Sequence, residues 1–130
     1  MEVPDLSEHI RLAIPSNGAG GLDAPRSAHF GHADSFTLVD VVDGQITGGE
    51  SLVNPPHSQG GCGATVTLLA QAGVGAAIVV GMGGGPLSAM RANGMTALFD
   101  DQSPTPRTAA EAYLTGTLPA FGGSHVCSGH

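Results

Sequence analysis

The sequence feature that most constrains the fold is residues 76–86, AAIVVGMGGGP, where an apolar run passes into glycines and a proline. Residues 76–80 are typical of a strand buried on both faces of a sheet, and Pro86 suits the first turn of a helix over residues 86–93. A strand, a glycine loop and a helix in this order direct several backbone N–H groups toward one point. The pattern therefore predicts an anion-binding site. A tight turn that needs glycine for steric reasons is the alternative.

Two common phosphate-binding loops do not fit these residues. The stretch lacks the Gly-Lys-Ser/Thr ending of a nucleoside-triphosphate loop, which excludes that class. The run from Gly81 to Pro86 also lacks the sixth-position glycine of dinucleotide-binding loops. An enzyme that holds a nucleotide here stays open only as a third functional interpretation.

The composition predicts a single acidic domain. The 130 residues include 21 Gly and 9 Pro but no Lys or Trp, and the formal net charge of −7 argues against a nucleic-acid-binding surface. No apolar stretch reaches membrane-spanning length, and residues 1–10 lack the basic and hydrophobic parts of a signal peptide. We therefore expect a cytoplasmic protein, in which Cys62 and Cys127 suit a metal or redox role better than a structural disulfide.

Hydrophobic patterning predicts the element order β-β-β-α-β-α-β-α. Strands are expected at residues 9–15, 35–42, 45–53, 76–80 and 95–99, and helices at 64–72, 86–93 and from a capping Thr108 through Leu114. This order predicts an α/β fold with a mixed five-stranded sheet and helices on both faces. Residues 1–8 are expected to be a flexible N-terminal arm, 9–118 the domain, and 119–130 a tail rich in Gly, His and Cys.

The second and third strands carry two local glycine signals. Asp43-Gly44 is typical of a type I′ turn, so the third strand should return antiparallel to the second. Gly48-Gly49 inside the third strand indicates a bulge or an edge position.

Three loops of the predicted fold would meet at one end of the sheet: residues 23–32, 54–63 and 81–86. They bring imidazole and thiol side chains toward the glycine loop, namely those of His29, His32, His57 and Cys62. Imidazole and thiolate together favour a soft or borderline metal such as iron, copper or zinc. Each histidine alone is more typical of a hydrogen-bonding loop residue, so the metal interpretation depends on their joint placement.

The last residues contain a second group of potential metal ligands. The segment SHVCSGH places His125, Cys127 and His130 within six residues, and such a tract hints at metal binding. One flexible peptide would still leave a zinc or copper site incomplete without another ligand. A disordered tail is the alternative.

Signatures of catalysis are weak. The first strand has no carboxylate for a two-metal nuclease, and no Ser or Cys nucleophile has a histidine at an informative spacing. Asp43, Asp100 and Asp101 lie in predicted turns, where turn-forming or solvated roles are the default. The sequence therefore predicts a protein that is not an enzyme.

Several short segments, taken in order, resemble the dinitrogenase iron–molybdenum cofactor biosynthesis (NifX-like) domain. They are AIPSNG at 13–18, LD at 22–23, SAHFGHA at 27–33, FTLVD at 36–40, NP at 54–55, GGCG at 60–63, the glycine loop at 81–85, ANGM at 92–95 and the closing helix at 109–118. The resemblance covers about residues 10–120. Its most specific part is His29-Phe30-Gly31 together with Asn54-Pro55.

This resemblance implies a ribonuclease-H-like three-layer fold without nuclease activity, and a non-catalytic protein that binds or carries an anionic metal–sulfur cluster. The cluster would be iron–molybdenum cofactor, its precursor, or a related iron–sulfur or molybdenum-containing cluster. The partners would be donor and acceptor proteins of metallocluster assembly, with no nucleic acid or membrane and with the oligomeric state left open. The expected cofactor contacts are His29, Phe30, Asn54, Gly81, Gly83, Gly84 and Gly85.

The charge of such a cluster would have to be balanced with few cations. Position 32 is commonly Arg in sequences of this kind, and this chain has His32 and no Lys. The balance would then fall to Arg26, protonated histidine and backbone amides. The alternative function is a regulatory or interaction module with a structural metal or no metal.

Overall fold

The computed structural model describes residues 9–30, 33–54, 61–82, 84–116 and 118–121. Over these residues the chain forms five strands and three helices, in the order β1 (His9–Ser16), β2 (Ser35–Val42), β3 (Gln45–Val53), α1 (Gly61–Gln71), β4 (Ala76–Val79), α2 (Gly84–Ala92), β5 (Thr96–Phe99) and α3 (Pro106–Leu114). The predicted element order is confirmed.

The strands form one mixed sheet in the order β3-β2-β1-β4-β5. β2 is antiparallel to both of its neighbours, whereas β1, β4 and β5 are parallel to one another. The sequence signals for this arrangement were the hairpin at the start of the chain and the alternation of strands and helices after it. The mixed five-stranded sheet is therefore confirmed.

Glycines shape the hairpin between β2 and β3. Asp43 and Gly44 both have positive φ, at 54° and 77°, which a type I′ turn requires at its two central positions. Further along, Leu38 pairs with Glu50 while Val39 pairs with Gly48, so Gly49 is the extra residue of a β-bulge. Both predictions from the glycine pairs are confirmed.

Helices cover both faces of the sheet. Leu12 of β1 belongs to a buried cluster that includes Ala109 of α3. Its neighbour Ala13 points to the other face, since side chains alternate along a strand, and shares a cluster with Val66 of α1 and Met90 of α2. α1 and α2 therefore form one outer layer and α3 the other. This three-layer arrangement is compatible with the ribonuclease-H-like label, which stays a prediction.

The helices begin earlier than the sequence predicts. α1 starts at Gly61 and α2 at Gly84, because the low helix propensity of glycine placed these residues outside the predicted helices while tertiary structure accommodates them in a first turn. α3 starts at Pro106, with Thr105 as the N-cap, whose side chain accepts a hydrogen bond from the Thr108 N–H. The prediction of Thr108 as the cap was wrong by one turn, since Pro106 fits the first helical position.

Residues 118–121 are part of the folded domain. Ala120 forms an antiparallel bridge with Leu98 of β5, and the Phe121 N–H donates to the Ala97 carbonyl over 2.8 Å. The Phe121 ring is 1% exposed and lies in the core beside Phe99, with ring centroids 6.3 Å apart. The core therefore passes the boundary predicted at residue 118. The predicted arm at 1–8 and most of the predicted tail, residues 122–130, lie outside the described residues.

Candidate functional site

Four strands end at the same edge of the sheet. β3 runs in the same direction as β1, β4 and β5, because β1 and β3 are both antiparallel to β2. The segments after these strands start at this edge, which we call the carboxyl edge, and each helix follows one such segment. In α/β sheets ligands bind at the carboxyl ends of parallel strands, so the candidate site lies here.

His29 lies on a short turn that is hydrogen-bonded to the glycine-containing segment after β4. The Ser27 hydroxyl accepts a hydrogen bond from the His29 N–H over 3.1 Å, and the Phe30 N–H donates to the Gly81 carbonyl over 3.3 Å. The Phe30 ring is buried and packs on Phe36, with centroids 5.4 Å apart, whereas His29 is exposed. The burial of the ring indicates that Phe30 holds the turn in place and that His29 is the side chain available to a ligand.

Asn54 links the end of β3 to two other parts of the edge. Its side-chain amide donates to the Ala33 carbonyl over 2.7 Å, and its backbone N–H donates to the Asp34 carbonyl over 3.1 Å. Its side-chain oxygen accepts from the Thr65 hydroxyl of α1 over 3.3 Å. These contacts indicate that Asn54 positions the loop and the helix. They join Asn54 to Ala33 and Asp34, which lie just beyond the first predicted loop. The Phe30 contact shows that the described parts of the first and third predicted loops meet.

Two helix N-termini face the same edge. α1 begins at Gly61 and α2 at Gly84, and neither helix has an acidic residue in its first turn. The first N–H groups of a helix have no partner within the helix and carry partial positive charge, so both starts favour an anion. This backbone chemistry suits a negatively charged cluster.

The charged group of Arg26 is buried and does not face the solvent at the carboxyl edge. Its side chain is 4% exposed and lies 3.5 Å from the Asp100 carboxylate, which is 5% exposed. The guanidinium also donates to the Ser103 carbonyl over 3.0 Å and to the Ile78 carbonyl over 3.4 Å. Burial lowers the pKa of Arg26, and the nearby carboxylates of Asp100 and Asp101 oppose that change. The expectation that Arg26 balances cluster charge is corrected, because Asp100 already compensates it.

Most of the predicted metal ligands lie outside the described residues. This holds for His32, His57, His125, Cys127 and His130, and also for the glycine-loop residue Gly83. Cys62 is the second residue of α1, at the carboxyl edge, and its side chain is outside what the structure describes. Gly84 and Gly85 are the first two residues of α2. The predicted ligand set therefore stays a prediction. Among the described residues no three His, Cys, Asp or Glu side chains are grouped to hold a metal ion.

The sequence interpretation missed the role of Asp100. It was assigned to a turn, and its carboxylate does accept from the Gln102 N–H over 2.9 Å as a turn residue would. The same carboxylate also faces Arg26, from which it is separated by 74 positions along the chain. The sequence offered one signal for this ion pair: a carboxylate directly after a parallel strand, and an arginine in a loop at the same predicted edge.

Comparisons with known proteins give consistent results. The model of the family described as dinitrogenase iron-molybdenum cofactor matches residues 9–116. A comparison with curated protein sequences gives no match. Within the described part of the chain, no helix is long and apolar enough to cross a membrane.

Solved structures share the fold over most of the chain. The crystal structure of PH0822 has a TM-score of 0.74 at 21% identity and covers 85% of this chain and 96% of its own. The apo form of the orange protein from Desulfovibrio gigas has a TM-score of 0.69 at 26% identity, covering 88% and 94%. A putative NifB protein from Thermotoga has a TM-score of 0.67 at 26% identity, covering 86% and 93%.

Proposed function

The chain belongs to the dinitrogenase iron-molybdenum cofactor family, and from this premise we propose that it is a non-catalytic carrier of an anionic metal–sulfur cluster. The cargo is iron–molybdenum cofactor, its precursor, or a related iron–sulfur or molybdenum-containing cluster. A carrier takes its cargo from one protein and delivers it to another, so its partners are donor and acceptor proteins of metallocluster assembly. We place this activity in the cytoplasm.

The observation that carries the proposal is the hydrogen bond between Phe30 and Gly81 at the carboxyl edge. This 3.3 Å contact joins the turn that bears His29 to the segment that leads into α2. His29, with its exposed side chain, is next to Phe30, and Gly81 is three residues before Gly84, where α2 begins. An imidazole can ligate iron or molybdenum, while backbone N–H groups can hydrogen-bond the sulfides of a cluster.

The charges at this edge favour binding through amides and soft ligands. Two arginines lie near the edge in the described part of the chain, and each faces an aspartate: Arg26 faces Asp100, and Arg107 contacts Asp23 at 3.0 Å. Negative charge on the cargo is then met by the helix N-termini and by histidine. Cys62, in the first turn of α1, is the soft ligand that the sequence predicts for this position.

Anaerobic purification followed by measurement of iron, molybdenum, zinc and acid-labile sulfide tests the proposal. We expect iron or molybdenum with sulfide in a fixed ratio to protein, together with a visible absorption band. Cys62→Ser should lower cluster retention, because a neutral hydroxyl is a much poorer ligand for soft metals than a thiolate. His29→Ala should also lower it, at an unchanged melting temperature.

His9→Ala is the matched control, since His9 is an exposed histidine at the start of β1, away from the carboxyl edge. It should leave cluster content unchanged. A colourless protein with one zinc would favour the regulatory or interaction module instead. Full retention of the cluster in both Cys62→Ser and His29→Ala would remove these two residues from the site.

A further inference from the structure

Arg26 joins three segments of the carboxyl edge through one buried guanidinium. The residue lies in the loop after β1, and its side chain donates to the carbonyl of Ile78 near the end of β4. It also donates to the carbonyl of Ser103 and faces the carboxylate of Asp100, both in the segment between β5 and α3. Its backbone N–H donates to the carbonyl of Pro104 over 3.4 Å. One residue therefore ties the β1 loop to β4 and to the β5–α3 segment.

This ion pair is costly to bury. Moving a guanidinium and a carboxylate out of water requires several kcal/mol each, and the attraction between them repays this only with good geometry and further hydrogen bonds. The Nε atom of Arg26 is buried and has no hydrogen-bond partner among the described residues. Apolar residues of similar volume often stabilise a fold as well as such a pair does. A contribution to stability is therefore a weak explanation for the presence of this ion pair.

The contacts of Arg26 bear directly on the position of His29. The β1 loop is attached to the β4 segment at two points, Arg26 to Ile78 and Phe30 to Gly81, and His29 lies between them. Ser27, the next residue after Arg26, closes the His29 turn with its hydroxyl. Among the described residues, loss of the first attachment would leave the hydrogen bond from Phe30 to Gly81 as the one that joins this loop to β4 or the segment after it.

We propose that Arg26 and Asp100 form a positioning pair, which fixes the His29 turn against the segment before α2 and thereby sets the affinity for the anionic cargo without contacting it. The inference rests on the proposed carrier function. It differs from a direct electrostatic role, in which any cation at position 26 would serve. A single ammonium group cannot reproduce the planar fork that reaches three acceptors, so lysine should fail at this position although it keeps the charge.

The test compares Arg26→Lys, Arg26→Gln and Asp100→Asn in the full chain, with tetrathiomolybdate, a simple anionic molybdenum–sulfur compound, as the probe. Arg107→Gln is the control, because it removes an exposed arginine that contacts Asp23 of the same loop. We expect Arg26→Lys and Asp100→Asn to raise the Kd at least about tenfold, and Arg107→Gln to change it less than about twofold. A folded Arg26→Lys protein that binds like the parent would overturn the positioning role.

Amide hydrogen exchange in the probe-free protein supplies a readout that does not depend on binding. The Phe30 N–H, which donates to Gly81, should exchange at least about tenfold faster in Arg26→Lys, while amides in the centre of β1 and β2 keep their protection. Equal protection of Phe30 in parent and variant would refute the pair as a positioning device. Failure of the parent to bind the probe or to hold a cluster would count against the carrier function, and the exchange measurement would still decide this inference.

Discussion

Replacing Phe121 with alanine tests whether the core extends past the predicted end of the domain. The ring is 1% exposed and contacts the core next to Phe99, and phenylalanine-to-alanine changes in cores cost about 3–5 kcal/mol. The lower end applies here, because residues 118–121 are held to β5 by a short ladder and can move inward to fill part of the cavity. We expect a loss of about 3 kcal/mol, and a melting temperature about 10 °C lower.

Urea unfolding followed by circular dichroism measures this loss in the full chain. Val53→Ala is the control, since Val53 is 73% exposed and its truncation should change the free energy of unfolding by less than about 0.5 kcal/mol. Phe121→Leu, which keeps most of the apolar volume, should lose less than the alanine variant. A Phe121→Ala protein less than about 1 kcal/mol below the parent would show that this ring adds little to the core, and that the domain ends where the sequence places it.

Two further predictions concern the sheet. The hydrogen bond from Arg11 holds the pKa of Asp40 below its usual range, against the effect of burial. The interaction of the Asp40 carboxylate with Arg11 therefore contributes fully to stability above the ordinary aspartate pKa of about 3.9. This contribution is lost as the pH falls through the lower pKa of the folded state. The parent should therefore lose stability between about pH 5 and pH 2 more steeply than Asp40→Asn, and equal slopes in urea unfolding would contradict this. Gly49→Val should destabilise more than Gly44→Val, because both positions have positive φ but a Cβ at Gly49 would lie 2.7 Å from the Leu22 side chain while Gly44 faces open space. Equal losses in thermal melts would remove the contact with Leu22 as a reason for glycine.

Features set by neighbouring residues were predictable from the sequence. The turn at Asp43-Gly44 and the bulge at Gly48-Gly49 depend on backbone conformations that glycine favours, so a few letters suffice to indicate them. The element order followed for a similar reason, since hydrophobic periodicity reports local structure. The helix starts were less predictable, because Gly61 and Gly84 have low helix propensity.

Features that depend on distant residues were not predictable. Phe121 is a single aromatic residue in a glycine-rich segment, and only the exposed edge of β5 explains why it is buried. The pairing of Arg26 with Asp100 spans 74 positions, and no pattern in either segment names the other. The order of the loops around the carboxyl edge could be inferred from topology, whereas the hydrogen bonds that hold His29 could not.

The central position of β1 has a consequence for synthesis of the chain. β1, β2 and β3 can pair as a meander once residue 53 has been made, but the other side of β1 waits for β4, whose Ala76 and Ala77 pair with Leu12 and Ala13. At translation rates of about 5–20 residues per second, the interval between residues 53 and 79 lasts about 1–5 s. During this interval β1, an apolar strand that lies in the middle of the finished sheet, has an open edge that can pair with another nascent chain.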